Sequence, residues 1–274
     1  MADFMHFPME RERVLTSGNT TIGIMPEICL VSHFQVGDWR VLYRPDETGN
    51  VKRWGLPLMI PNFSRLKDGI FQEKHTTLPI HGFGLTMPWT VTEGDGTRLS
   101  MQLLSSDATR QSYPYEFTFT ATIEAGAGTL TYTVIMENRG DETMPIAPGF
   151  HPYFAVAQED KSRIFADGPG FYISDYDWVR NIPDKANPFP HRVTVQIPRG
   201  GLLTIEEIPG SDGYALANMQ VWSDEPERPD HDFVCFEPTV SSEDALNRPD
   251  DRLNIAPRSS RQFMLRLAAQ PVGA

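Results

Sequence analysis

The strongest regularity along the chain is a period of two. From Tyr115 to Glu124, Tyr115, Phe117, Phe119, Ala121 and Ile123 alternate with Glu116, Thr118, Thr120, Thr122 and Glu124. Successive side chains of a strand point to opposite faces, so this segment predicts a strand with one wet face. Ala125-Gly126-Ala127-Gly128 follows, with glycines able to take the positive φ angles of a tight turn. Leu130, Tyr132, Val134 and Met136 then alternate with Thr131, Thr133, Ile135 and Glu137, completing a hairpin. Weaker alternation marks strands at Arg98–Leu104, Arg192–Ile197, Tyr214–Trp222, Phe233–Glu237 and Gln262–Leu267. Segments rich in Pro, Asp and Asn, such as Asp184–Pro190 and Asp224–Asp232, read as turns between them. No segment sustains a 3.6-residue apolar stripe. Many short strands separated by such turns predict an all-β sandwich or barrel, and the absence of a linker or repeat predicts one domain over residues 1–274.

The formal charge of −12, from 24 Lys and Arg against 36 Asp and Glu, disfavours nucleic acid and anionic membrane as partners. No run approaches the roughly 18 apolar residues of a membrane span, and the opening MADFMHFPMERERV lacks the apolar stretch of a signal peptide. Cys29 and Cys235 are the two cysteines, a poor disulfide framework that fits a reducing compartment. These features predict a soluble cytoplasmic protein, and no pattern specifies its oligomeric state. There is no dinucleotide fingerprint, phosphate loop, zinc helix or nucleophile elbow, and the seven histidines do not fall at metal-ligand spacings. The expectation is chemistry by side chains alone, with no cofactor and no metal.

Three stretches stand out as sites for such chemistry. The first runs from Trp54 to Arg65 and leads to His81-Gly82-Phe83-Gly84 and Pro88-Trp89; the second is Gly149-Phe150-His151-Pro152-Tyr153-Phe154; the third is Phe233-Val234-Cys235-Phe236-Glu237-Pro238. His151 and Glu237 each precede a proline, which biases the backbone to the extended region and fixes side-chain direction. Each polar group lies among aromatic and apolar neighbours, where burial would perturb its pKa. Aromatic faces with a few directed polar groups suit a sugar, whose C–H faces stack while its hydroxyls seek hydrogen bonds.

In their order along the chain, the Pro-Asn…Arg stretch, the HGF loop, the HPYF motif and the late Phe-Glu-Pro strand resemble the aldose 1-epimerase (galactose mutarotase-like) family, including its hexose-6-phosphate mutarotase branch. The resemblance extends from about residue 20 to residue 267 and implies a large, mostly antiparallel β-sandwich, the galactose mutarotase-like supersandwich. It implies that His151 is the general acid and Glu237 the general base of anomer interconversion on a monosaccharide. It further implies that His81 holds the sugar near its ring oxygen, that Arg65 binds a sugar hydroxyl, and that Trp89 and Tyr153 wall the cleft. Asp175 and Asp177 are candidates for a further hydroxyl-binding carboxylate. Leu85 stands where the phosphate branch carries an arginine, which points to a free hexose, although Arg53 and Lys67 offer charge for an anion. Two other classes compete: a sugar-binding or regulatory protein without turnover, and a glycoside hydrolase. A mere binder has no use for an acid–base pair, and hydrolysis usually takes two carboxylates where the sequence offers Glu237 alone.

Overall fold

The computed structural model describes residues 5–6, 9–45, 50–51, 53–173, 176–178, 184–228 and 230–273. Two large sheets dominate it, and every pairing between their strands is antiparallel. The expected hairpin forms from Phe117–Gly126 and Thr129–Asn138, closed by Ala127 and Gly128, in register from Phe117↔Asn138 to Gly126↔Thr129. It lies in the eight-stranded sheet, beside Arg98–Leu104 on one side and the long closing strand Ser260–Pro271 on the other. The ten-stranded sheet runs, across its width, through Asp184–Pro188, Asn218–Trp222, Phe233–Thr239, Gly149–Phe150, Leu56–Met59, Leu30–Val36, Thr20–Met25 and Arg13–Ser17. Tyr153–Ala155 joins it along Phe233–Thr239, and Trp39–Arg40 along Leu30–Val36.

The apolar sets of both sheets meet in one core. Phe119, Val134, Leu203 and Leu265 come from the eight-stranded sheet, and Val31, Phe34, Leu58, Val234 and Phe236 from the ten-stranded one. Phe150 touches both Tyr132 and Phe263, with ring centroids 5.0 and 5.5 Å apart. Removing this much apolar surface from water is the main force holding the layers together. Among the described residues, no helix is long and apolar enough to cross a membrane.

Asp184–Pro188 differs from expectation. Its Pro, Asp and Asn content predicts a turn, yet it pairs with Asn218–Trp222 as the edge of the ten-stranded sheet. An edge strand needs partners on one side only, so a proline at its end costs no ladder bond. This difference brings Asp184 to the rim of the site described next.

Candidate active site

Alternation along Phe233–Thr239 sends Val234 and Phe236 into the core and leaves Phe233, Cys235 and Glu237 on the opposite face of the sheet. That face is the floor of a cleft of about 580 Å³, within the roughly 300–1,000 Å³ usual for small-molecule sites. The HPYF segment crosses it: His151 N–H donates to the Pro57 carbonyl at 3.1 Å, and Tyr153 N–H to that of Gly55 at 2.9 Å. Close approach is possible because residue 149 is glycine; a Cβ there would stand 2.5 Å from Thr239 Cγ2. In this way two segments separated by more than eighty residues come together, and His151 Nε2 lies 3.5 Å from Glu237 Oε1.

The HGF loop is fastened from the other side. Phe83 and Gly84 N–H groups both donate to the Ile60 carbonyl. Gly82 sits at φ +68°, and a Cβ there would meet that carbonyl oxygen at 2.3 Å, so only glycine fits. Ser64 N–H donates to His81 Nδ1 at 3.1 Å. With Nδ1 an acceptor, the neutral ring carries its proton on Nε2 and can offer it to a ligand. Burial, helped by the Arg65 guanidinium, lowers His81 to about 4, so the ring is neutral near pH 7. His81 and His151 meet edge to face with centroids 5.3 Å apart, and Tyr153 stacks on His151 at 4.6 Å and 12°.

His151 is 6% exposed and Glu237 2%. Burial holds His151 well below the usual imidazole range, and His81 adds to the effect. Burial likewise pushes Glu237 well above the usual carboxylate range, with Asp184 contributing. The sequence reading expects a carboxylate and an imidazolium; without a ligand, burial favours a carboxylic acid and a neutral imidazole instead. The number of protons is the same, but the proton sits on the other partner. Glu237 Oε1 and His151 Nδ1 are buried and make no hydrogen bond among the described residues. Buried polar atoms are normally paired, so an unpaired one on each of two neighbouring side chains at a cleft floor marks groups held ready for something else.

Of the residues singled out from the sequence, His151, Glu237, Arg65, His81 and Tyr153 all line this cleft. Trp89 does not, which corrects its expected place in the cleft wall. It is 4% exposed within the core, and its indole N–H donates to the Gly84 carbonyl at 2.7 Å, bracing the HGF loop from behind. Trp89 lost the cleft because its N–H is satisfied by that loop's backbone. Asp175 lies outside the described residues, and Asp177 is not among those lining the cleft.

Several lining residues escaped the sequence reading: Asp184, Gln220 and Trp222 on one wall, Phe63, Ile80 and Glu243 on the other. Gln220 and Trp222 pair in register with Glu237 and Cys235, and Gln220 donates to Asp184. Alternation gave a usable signal, because their neighbours Met219 and Val221 are buried, which turns 220 and 222 to the face that carries Glu237. Arg53 lies over the Trp222 ring at 5.8 Å and is ion-paired with Asp224. One ligand atom each from His151, Cys235 and Glu237 lies within 4.8 Å of the others, so a metal ion could be held here.

Comparison with known proteins bears on the family and the fold. The model of the aldose 1-epimerase family matches residues 65–177, a stretch that includes Arg65, His81 and His151. A Salmonella typhimurium protein named "Putative glucose-6-phosphate 1-epimerase" is 28% identical over 172 residues, covering 60% of this chain and 54% of that protein. The match thus spans about half the length of that relative. Among solved structures, the Slr1438 protein of Synechocystis sp. PCC 6803 superposes with a TM-score of 0.83 at 21% identity, covering 99% of this chain and 100% of that one. A galactose mutarotase-like protein from Clostridium acetobutylicum gives 0.77 at 16% identity, covering 94% and 95%.

Proposed function

We propose that the protein is an isomerase of the aldose 1-epimerase family, interconverting the α and β anomers of a free hexose; the family match over residues 65–177 and the fold shared with a galactose mutarotase-like protein support this reading. The observation that carries the reading is the buried pair His151 and Glu237, 3.5 Å apart on the floor of a cleft of monosaccharide size.

Opening a pyranose requires loss of the anomeric hydroxyl proton and gain of a proton at the ring oxygen. Glu237 takes the first and His151 supplies the second; the opened aldehyde turns about C1–C2 and closes on its other face with the transfers reversed. For this, the one proton of the pair must stand on His151 when the sugar binds. Sugar hydroxyls donating to Glu237 favour its ionised form, as hydrogen bonds to a carboxylate do. The burial that raises Glu237 also makes it a stronger base than a free carboxylate, which suits proton abstraction near neutral pH. His81 offers its Nε2–H to the ring side of the sugar, and Arg65 binds a hydroxyl. Both orient the substrate and move no proton. Trp222 and Tyr153 present aromatic faces.

A hexose 6-phosphate is the second reading, favoured by Arg53 and Arg65 at the cleft and by the printed name of the Salmonella relative. The free sugar is preferred because Arg53 is already paired with Asp224, while Asp184 and Glu243 bring negative charge to the same rim. The two free cysteines suit a reducing compartment, so we place the enzyme in the cytoplasm. Polarimetry on freshly dissolved anomers of free and 6-phosphorylated hexoses tests the proposal. Faster decay of rotation with free hexoses is expected; no acceleration with any sugar of the panel would reduce the protein to a binder.

A further inference from the structure

Cys235 has no part in the acid–base chemistry, yet it stands beside it. It lies two residues from Glu237 on one strand and therefore on the same face. Tyr153 and Trp222 are its register partners on either side, and it is fully buried and not in a disulfide. Its sulfur, one His151 ring nitrogen and one Glu237 oxygen lie within 4.8 Å of one another. Independently of the cysteine, Glu237 Oε1, the oxygen 3.5 Å from His151 Nε2, is buried without a hydrogen bond among the described residues. A thiol, an imidazole and a carboxylate in reach of one point are the donor set of a zinc-class cation. Hard cations such as calcium and magnesium take oxygen ligands instead.

We propose that Cys235, His151 and Glu237 form a binding site for a thiophilic divalent cation of the zinc class, and that such a cation inhibits the enzyme. The inhibition rests on the proposed anomerase reading; the binding does not. Donors on one tetrahedral zinc, at about 2.0–2.3 Å from it, stand roughly 3.5 Å apart. His151 Nε2 and Glu237 Oε1 already have that spacing, at 3.5 Å. The thiol closes the remaining distance by turning about its one side-chain torsion. The fourth position faces the cleft and takes water or a sugar hydroxyl. On binding, the thiol proton and the proton shared by the pair pass to solvent, and no group changes oxidation state. Inhibition follows because the cation occupies the lone pairs that must accept and relay the sugar's protons.

Cobalt(II) titration of tag-free protein tests the site without reference to turnover. One equivalent per chain is expected to give the visible bands of a four-coordinate ion and a near-ultraviolet thiolate-to-metal band. Cys235→Ser should abolish the thiolate band and weaken binding at least about tenfold. Zinc should inhibit the wild-type chain at one equivalent, while Cys235→Ser keeps the basal rate and needs about tenfold more zinc. If Cys235→Ser fails to fold, Cys235→Ala serves. No thiolate band at stoichiometric cobalt, or the same band in the variant, overturns the site whatever the activity. A thiolate band in a protein without mutarotation sustains the site and sinks the functional reading, so the two failures are distinguishable.

Discussion

Among the described residues, two histidine–glutamate pairs with a buried carboxylate, one at each large sheet, stand in different environments. In the eight-stranded sheet, Glu207 is 2% exposed and lies 3.1 Å from His191 Nδ1. Its Oε1 accepts the N–H groups of Ala215 and Leu216 at 2.6 and 3.1 Å, and His191 stacks flat on Tyr214 at 3.7 Å. Burial still raises Glu207 above the usual range, but its acceptors are taken up by His191 and by the 215–216 backbone, which they fasten to the sheet. In the ten-stranded sheet, Glu237 is equally buried, but its Oε1 has no hydrogen bond among the described residues, and it faces a cleft. Residue types and the burial of the carboxylate are the same in both, although His191 is more exposed than His151. What separates the structural pair from the one proposed to react is an unused acceptor beside a cleft.

The largest effect expected from this contrast is catalytic. Glu237→Gln and His151→Asn should each lower the mutarotation rate by about two to four orders of magnitude with unchanged circular dichroism. Wild-type rates in both folded variants would erase the distinction between the pairs. Next comes stability: Glu207→Ala should cost about 1–3 kcal/mol in urea unfolding, because two buried N–H groups lose their acceptor, with kcat little changed in the folded fraction. His191→Asn should cost less, under about 1 kcal/mol, since its ring is one-third exposed and an amide can still reach Glu207.

The smallest effect is a pH dependence that separates the partners of the reactive pair. Glu237 has its folded-state pKa raised above the unfolded value of about 4.5. The unfolded chain therefore ionises first, and stability is lost as pH rises above that value. Glu237→Gln cannot ionise, so its unfolding free energy relative to wild type should increase with pH above 4.5. His151 has the opposite sign: its folded-state pKa lies well below 6.5, and stability is lost as pH falls through that value. His151→Asn should gain on wild type as pH drops below 6.5. Unfolding curves between pH 4 and 8 check both slopes, and parallel curves would mean the pair is not buried as described.

Much of this was legible from residues. The hairpin was fixed by strict alternation around a glycine turn, and its observed ends fall within two residues of expectation. His151, Glu237 and His81 stand in motifs in which proline or glycine constrains the backbone next to a polar side chain, whereas Arg65 was marked by the family resemblance alone. Asp184 was hidden because Pro, Asp and Asn describe an edge strand as well as a turn. Trp89 was misplaced because an apolar ring with one N–H suits a core as well as a cleft wall; the Gly84 carbonyl decided it.

Sequence alone determined the all-β class and the strand faces, because these depend on local periodicity, while the acid–base candidates came from the motifs' resemblance to the aldose 1-epimerase family. Only the tertiary structure decided that Glu237 has an unused acceptor beside a cleft while Glu207 is bonded to backbone, that Cys235 stands beside the His151–Glu237 pair, and in which direction burial moves each partner. Those properties depend on distance, burial and unfilled hydrogen-bonding capacity between segments far apart in the chain, and no local pattern encodes them.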